Sequence, residues 1–181
     1  RILAGAYDNA RIPGIDSALE EGDIIHLGKH PVCILFVPGH TLGHIAYHFF
    51  EDDLLFCGDT LFVMGCGRLF EGTAEQLWQS LQKLKALPTE TEVYCTHEYT
   101  ETNGRFALSL EPENAMLRQR MNQVNRMRNE NRPTVPTTIG EELDTNPFFR
   151  ENSVGLRKKL AMEKGLPVAV FTKIRKLKDG F

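Results

Sequence analysis

Three apolar, strand-like runs in this sequence stop abruptly, and a residue able to carry chemistry follows each stop. Residues 32–37 (Val-Cys-Ile-Leu-Phe-Val) end at a Pro-Gly pair before His40, residues 54–57 (Leu-Leu-Phe-Cys) lead to Asp59, and residues 92–96 (Glu-Val-Tyr-Cys-Thr) lead to His97. Groups that follow the ends of separate strands can converge at one edge of a sheet. The pattern therefore predicts that two imidazoles and one carboxylate meet, a donor set that suits Zn, Mn or Fe.

Further strand and helix signals surround these runs. Residues 45–50 and 54–57 flank a polar Glu-Asp-Asp turn and predict a hairpin. Residues 73–76 (Thr-Ala-Glu-Gln) have the spacing of a capping box, and the apolar residues behind them recur at helical spacing until Pro88. This order predicts a sheet layered with helices through about residue 98.

The second half of the sequence has a helical character. Residues 104–131 mix apolar and polar residues as amphipathic helices do, and a Pro-rich break follows at 133–136. A helix is predicted from Ser153 to Lys164 with Gly165 as its C-terminal cap, followed by a basic tail. We expect the helices of residues 104–131 to form a small separate layer.

Composition limits the possible partners. The 181 residues carry a formal net charge of -3, which does not favour nucleic-acid binding, yet residues 157–181 hold eight basic and two acidic residues and form an anion-attracting region. No apolar run approaches the roughly 18 residues that a membrane span requires, so we expect a soluble, cytoplasmic protein. The four cysteines include no C-x-x-C pair, which favours reduced thiols.

Four segments occur in an order that carries a family resemblance. They are residues 38–44 (Pro-Gly-His-Thr-Leu-Gly-His), 56–62 (Phe-Cys-Gly-Asp-Thr-Leu-Phe), 65–73 (Gly-Cys-Gly-Arg-Leu-Phe-Glu-Gly-Thr) and 95–99 (Cys-Thr-His-Glu-Tyr). The first two resemble the metallo-β-lactamase superfamily in general. The other two, with residues 146–149 (Asn-Pro-Phe-Phe) and the basic tail, resemble the hydroxyacylglutathione hydrolase (glyoxalase II) family.

The resemblance covers essentially the whole chain and implies an α/β fold. Residues 1–98 would be the second half of a metallo-β-lactamase αββα sandwich, and residues 99–181 an α-helical domain that binds the glutathione substrate. The implied activity is metal-dependent hydrolysis of the thioester S-D-lactoylglutathione to D-lactate and glutathione, the second step of methylglyoxal detoxification.

The resemblance also assigns roles to single residues. His40 would bind one divalent metal ion and His97 the other, while Asp59 would bridge the two and orient the metal-bound hydroxide. Two ions of Zn, Fe or Mn are implied. The residues implied to contact the glutathione moiety are Arg68, Phe70, Tyr99, Arg175 and Lys178. Arg and Lys donors suit the two carboxylates of glutathione, whereas Phe70 stands where some family members have Tyr and lacks that hydroxyl.

The sequence departs from the family pattern in its metal ligands. The superfamily takes most of its metal ligands from an H-x-H-x-D-H segment that is absent from these 181 residues, so only three of seven ligand positions are present. We expect the chain to be the C-terminal part of a longer protein, with the missing N-terminal segment as a partner. Alone, it is expected to hold fewer metal ions or none, to expose apolar sheet surface and to aggregate.

Three alternatives remain open at this point. The chain could resemble the single-iron persulfide dioxygenases of the same superfamily, although these lack the helical C-terminal domain. It could be a cysteine hydrolase that uses Cys66 or Cys95 with His97. It could also be a non-catalytic fragment that binds glutathione thioesters without turning them over.

Overall fold

Ten strands and six helices make up the protein, and the computed structural model describes all of residues 1–181. The strands are β1 (Leu3–Gly5), β2 (Ser17–Leu19), β3 (Ile24–Leu27), β4 (His30–Phe36), β5 (Ile45–Phe49), β6 (Leu54–Gly58), β7 (Leu61–Phe62), β8 (Gly65–Cys66), β9 (Glu92–Cys95) and β10 (Thr137–Thr138). The helices are α1 (Ala74–Lys85), α2 (Thr100–Leu110), α3 (Ala115–Asn129), α4 (Ile139–Thr145), α5 (Val154–Lys159) and α6 (Pro167–Asp179). None of the helices is both long and apolar enough to cross a membrane.

Six of the strands form one mixed sheet in the order β10-β9-β6-β5-β4-β3. All neighbours in it are antiparallel except β6 and β9, which run parallel. Because α1 connects these two parallel strands, β6, α1 and β9 form a crossover unit. The carboxyl ends of β6 and β9 consequently lie side by side, which brings Asp59 close to His97.

One face of the sheet packs against α1. Leu55 and Val93 lie directly opposite each other on β6 and β9, and both are fully buried in one core with Leu77 and Leu81 of α1. The capping box predicted at Thr73 and Gln76 begins this helix. Phe171 of α6 lies in the same core. Leu117, Met121 and Val124 of α3 belong to a second, smaller hydrophobic cluster, so the small separate layer predicted for residues 104–131 is present in part.

The other face of the sheet presents aromatic side chains. Tyr47, Phe56 and Tyr94 lie in register on β5, β6 and β9. The Phe56 ring stacks on Tyr94 at 5.1 Å between centroids, and Phe56 is 41% exposed. This face therefore exposes apolar sheet surface as expected, while aggregation remains a prediction.

The strands and the hairpin predicted around residues 32–57 and the strand at 92–96 are all present, whereas one prediction near the C-terminus is wrong. The basic tail is the helix α6, whose buried face includes Val170, Phe171 and Ile174. The helix predicted to reach Lys164 ends at Lys159, although its Ser153 cap is confirmed.

The early end of α5 has a clear cause. Ala161 adopts a left-handed conformation (φ 53°), and the amides of Ala161 and Met162 donate to the carbonyls of Lys158 and Arg157. This is a Schellman motif, which satisfies the last carbonyls of a helix. It is built on an alanine rather than on Gly165, the residue that the sequence pattern favoured.

Candidate active site

A cavity of about 700 Å³ opens beside the ends of β6 and β9. All eight residues predicted to form the site line it, together with four more; the full set is His40, Asp59, Phe62, Cys66, Arg68, Phe70, His97, Tyr99, Thr102, Asn103, Arg175 and Lys178. We call His40, Asp59 and His97 the histidine cluster, and Arg68, Arg175 and Lys178 the basic cluster. Residues up to 138 positions apart in the sequence thus share one space.

Asp59 lies between the two imidazoles of the histidine cluster. Its Oδ1 is 3.2 Å from Nε2 of His97, and its Oδ2 is 3.9 Å from Nε2 of His40. Exposure increases across the cluster, from 15% for the His40 side chain through 26% for Asp59 to 48% for His97. Each oxygen of one carboxylate therefore faces a different imidazole, and the carboxylate remains accessible from the cavity.

The backbone and two further side chains hold Asp59 in place. Gly58 has a left-handed conformation (φ 54°), and a Cβ there would lie 2.5 Å from Nε2 of His44, so glycine allows the close approach. The amide of Asp59 donates to that same Nε2 at 3.0 Å, and the Thr96 hydroxyl donates to Oδ1 at 2.7 Å. Burial, reinforced by the nearby His40, lowers the pKa of His44 and favours the neutral imidazole that can accept this bond.

A carbonyl fixes the tautomer of His40. Nδ1 of its ring lies 2.8 Å from the Arg68 carbonyl oxygen. Because a carbonyl can only accept, Nδ1 carries the proton, and Nε2 keeps a lone pair that faces Asp59. Outer hydrogen bonds of this kind are how proteins orient metal-binding histidines.

Aromatic rings cover both imidazoles. Phe70 lies against His40 with 4.6 Å between ring centroids, and Tyr99 stacks on His97 at 4.9 Å. Phe62 contacts both His97 and Tyr99. The predicted substrate residues Phe70 and Tyr99 thus pack against the histidine cluster as well as lining the cavity.

The donor chemistry of the histidine cluster fits divalent metal ions. Two imidazole nitrogens flank a carboxylate that offers one oxygen to each side, which suits a carboxylate shared between two ions. No three His, Cys, Asp or Glu side chains in residues 1–181 are grouped closely enough to hold a metal ion by themselves. The histidine cluster alone is therefore not a complete metal site.

Lys178 contributes to the basic cluster an ammonium that lies beside aromatic rings. Its Nζ lies over the rings of Phe106 and Phe181, at 5.4 and 5.2 Å from their centroids. Burial, with the cations of Arg175, Arg68 and Arg105 nearby, lowers its pKa. A bound carboxylate would relieve this repulsion.

Arg175 lines the cavity, but most of its guanidinium is already engaged. Nη1 donates to the carbonyl oxygens of Cys66 and Gly67 at 2.9 and 3.3 Å, and Nη2 donates to Asp179 at 2.9 Å. The residue is 3% exposed and lies over the Phe148 ring. The structure thus gives Arg175 a role in holding the Cys66–Gly67 backbone, in addition to the substrate contact predicted for it.

The cysteine chemistry considered as an alternative is disfavoured. Burial raises the pKa of Cys66 to about 11, and burial also raises the pKa of Cys95. Since the thiolate is the nucleophilic form, neither thiol is activated at neutral pH.

Sequence reasoning missed His44, Thr96 and Asn103. His44 and Thr96 hold Asp59, while Asn103 lines the cavity and donates to the Val63 carbonyl at 3.1 Å. His44 and Thr96 lie inside the segments that carry the family resemblance, so their positions offered a signal. Asn103 lies in an ordinary helical pattern and offered none.

The sequence matches two family models over almost its whole length. A model described as "Metallo-beta-lactamase superfamily" matches residues 3–97, and one described as "Hydroxyacylglutathione hydrolase C-terminus" matches residues 98–181. The hydroxyacylglutathione hydrolase of Methylococcus capsulatus is 53% identical over 99% of this chain and 70% of its own length. That of Mesorhizobium japonicum is 49% identical over 100% of this chain and 71% of its own length.

Solved structures agree on the fold. ETHE1 from Myxococcus xanthus matches with a TM-score of 0.57 at 23% identity, covering 97% of this chain and 64% of its own. The BLEG-1 B3 metallo-beta-lactamase matches with a TM-score of 0.55 at 22% identity, covering 81% of this chain and 64% of its own. The predicted metallo-β-lactamase fold is confirmed, and the relatives at about 50% identity show that the chain belongs to the hydroxyacylglutathione hydrolase family.

Proposed function

We propose that this protein is a thioester hydrolase that binds S-D-lactoylglutathione and releases D-lactate and glutathione. The observation that carries the proposal is the shared cavity, in which the histidine cluster and the basic cluster face the same 700 Å³ space. Family membership supports the same reaction, because the relatives at about 50% identity are named for it.

The basic cluster suits the glutathione part of the substrate. Glutathione carries two carboxylates, and Lys178 and Arg68 offer cationic donors toward the cavity. Lys178 has its ammonium over aromatic rings rather than against a carboxylate of the protein. Binding of an anion there replaces repulsion between neighbouring cations with attraction.

The histidine cluster suits the reacting thioester. When bound, divalent metal ions supply a nucleophilic water at neutral pH and Lewis-acid polarisation of a carbonyl. His40, Asp59 and His97 would hold them, with Zn, Fe and Mn all compatible with these donors. Thr96 and His44 keep Asp59 aimed between the imidazoles, so the carboxylate stays fixed while the substrate binds.

The leaving group makes few demands on the protein. A thiol has a pKa near 8.5, so a departing thiolate needs little protonation. Phe70 and Tyr99 pack against the imidazoles of His40 and His97.

We further propose the division of labour predicted from the sequence, with residues 1–98 carrying the histidine cluster and residues 99–181 most of the glutathione contacts. The substrate is a small molecule, and neither nucleic acid nor membrane is a proposed partner. A cytoplasmic location and a requirement for an N-terminal partner segment stay predictions.

The test is the rate of S-D-lactoylglutathione hydrolysis by the purified chain supplied with Zn, Mn or Fe, with a chelator control. We expect metal-dependent turnover that the chelator abolishes. Calorimetric titration with S-methylglutathione, whose sulfur cannot ionise, measures binding separately. Failure to bind this probe would overturn the proposal.

A non-catalytic glutathione-binding role is the second candidate, and the incomplete donor set favours it for the chain alone. It predicts that the chain binds S-methylglutathione but does not hydrolyse S-D-lactoylglutathione at any metal concentration. The persulfide dioxygenase alternative is disfavoured, because the C-terminal half matches the hydroxyacylglutathione hydrolase model and the relatives at about 50% identity share that name.

A further inference from the structure

The β7–β8 hairpin is held by side chains of the helical region. Two of its residues, Phe62 and Cys66, line the cavity next to the histidine cluster. Six backbone groups of residues 62–67 bond to side chains on helices or beside them. Asn103 donates to the Val63 carbonyl at 3.1 Å, and Arg175 donates to the carbonyls of Cys66 and Gly67. The remaining three groups bond to Glu142 and Asn146.

Glu142 and Asn146 form the centre of this support. The Met64 amide donates to Oε2 of Glu142 at 2.8 Å, and Nδ2 of Asn146 donates to the same Oε2 at 2.8 Å. Nδ2 also lies 3.3 Å from the Phe62 carbonyl oxygen and 3.0 Å from that of Gly65. Both side chains are fully buried, and neither lines the cavity.

The other oxygen of Glu142 is also saturated. Oε1 accepts from Arg120 at 2.7 Å and from the Thr137 hydroxyl at 2.8 Å. The buried Glu142 carboxylate accepts four hydrogen bonds, one of them from Arg120. It is rigid, because each lost bond would leave a buried charge or dipole uncompensated. The hairpin is therefore bonded to a rigidly held side chain, Glu142.

The hairpin needs an external anchor. Its two strands have only two residues each, and Met64 at its turn adopts a left-handed conformation (φ 54°) that a non-glycine side chain disfavours. So short a hairpin has little stability of its own. The helical region imposes its conformation.

The hairpin leads directly to the histidine cluster. Gly67 lies so close to Asp59 and His40 that a Cβ there would be 2.1 Å from the Asp59 carbonyl oxygen and 3.2 Å from Cβ of His40. The next residue, Arg68, gives its carbonyl to Nδ1 of His40 and its side chain to the cavity. A displaced hairpin would thus move the cationic Arg68 side chain in the cavity. It would also remove the hydrogen bond that orients the His40 ring.

We infer that Asn146 and Glu142 are positioning residues: through the β7–β8 hairpin they set the place of Arg68 and the tautomer and orientation of His40. This inference rests on the proposed function for its substrate part, while its His40 part stands on the structure alone. It also gives a role to Asn146 of the Asn-Pro-Phe-Phe segment at 146–149.

The test compares Asn146→Ala with Asn114→Ala. Asn114 is a matched control, because it also makes two side-chain bonds in the helical region, accepting from the Leu117 amide and donating to the Asp144 carbonyl, but it contacts no part of the hairpin. Three quantities are measured: thermal unfolding, calorimetric affinity for S-methylglutathione, and the ring nitrogen signals of His40 in long-range ¹H–¹⁵N spectra, assigned with His40→Gln.

We expect both variants to unfold at lower temperature than the parent. Only Asn146→Ala is expected to weaken S-methylglutathione binding, by about tenfold as for other small displacements of binding groups, and to shift the His40 signals toward averaged tautomers. Glu142→Gln keeps the side-chain shape, removes the charge and is expected to act in the same direction; it serves where Asn146→Ala does not fold.

A purely structural role would give the opposite pattern. If Asn146→Ala or Glu142→Gln unfolds earlier but keeps the parent's affinity and His40 signals, the inference is wrong. If the parent itself does not bind S-methylglutathione, the proposed function fails, and the His40 signals alone then decide whether these residues position the ring.

Discussion

The histidine cluster and the basic cluster line the same cavity but are assembled differently. His40, Asp59 and His97 each follow a strand of the central sheet within four residues. Arg68 follows the β7–β8 hairpin, whereas Arg175 and Lys178 come from α6, more than 100 residues later. The first cluster depends on where strands end, and the second depends on how the helical region docks, so the two should respond to different perturbations.

The largest expected effect separates the two clusters. Asp59→Asn removes a charged donor from the centre of the histidine cluster, so we expect metal uptake to be lost and hydrolysis to fall by more than about a hundredfold, since even outer partners of ligands cost that much. The affinity for S-methylglutathione should stay close to that of the parent. Metal analysis, turnover and calorimetry measure the three quantities.

Asp53→Asn is the control for that prediction. Asp53 is exposed in the β5–β6 turn with φ 54°, a conformation that Asn tolerates well. It should leave all three quantities unchanged. Equal metal binding by Asp59→Asn and the parent would show that the histidine cluster does not hold the metal.

The basic cluster should show the reverse pattern. Lys178→Met removes the available ammonium, and we expect the Kd for S-methylglutathione to rise by about tenfold or more, the effect of one lost charged hydrogen bond. Zinc uptake should not change. Lys176→Met, an exposed lysine on the same helix, is the matched control, and an equal loss of affinity in both variants would point to general charge attraction.

The pH dependence of binding sharpens the role of Lys178. Burial and neighbouring cations lower its pKa, so the ammonium loses its proton at a lower pH than an ordinary lysine. Attraction for a carboxylate is present below that pKa and is lost as the pH rises through it. We expect the affinity for S-methylglutathione to fall with rising pH.

Lys178→Arg tests the assignment, because a guanidinium stays charged over the same range. Its affinity should be less dependent on pH than that of the parent, whatever its absolute value. Identical pH profiles for the two proteins would assign the loss of binding to another group, such as the amine of the ligand.

The smallest expected effect is that of a substitution at Phe70, next to the histidine cluster. Phe70 lies against His40, and 70% of its surface is exposed. Phe70→Tyr adds a hydroxyl without burying it, so the free energy of unfolding should change by less than about 0.5 kcal/mol. We expect a few-fold gain in S-methylglutathione affinity from one added hydrogen bond, about 1 kcal/mol. A loss of affinity would show that the ring face, rather than a missing hydroxyl, governs this position.

Much of the histidine cluster could be predicted because its information is local. Pro38 and Gly39 stop the run that precedes His40, and the apolar runs before Asp59 and His97 are short and β-rich. Gly39 also lies against Leu77 of α1, where a Cβ would be 2.5 Å from the Leu77 Cβ. The residue types and their neighbours therefore indicated both the strands and the turns.

The C-terminal region was predicted less well because its information is distributed. The helix at 153–164 was expected to end at Gly165, but the backbone takes a Schellman motif at Ala161. The basic tail was predicted to attract anions and to bind the substrate, and α6 in addition buries Ile174 and Arg175. Charge composition does not reveal which face of a helix meets the core.

The amino-acid sequence by itself determined the strand ends, the capping box of α1, the family and the eight residues that share the cavity. Only the tertiary structure showed that Arg175 holds the backbone of Cys66, 109 residues away, and that Glu142 and Asn146 support the β7–β8 hairpin. The physical reason is the separation along the chain between the groups that interact. Turns and caps are satisfied by neighbours in the chain, whereas buried polar groups find their partners only when distant segments pack together.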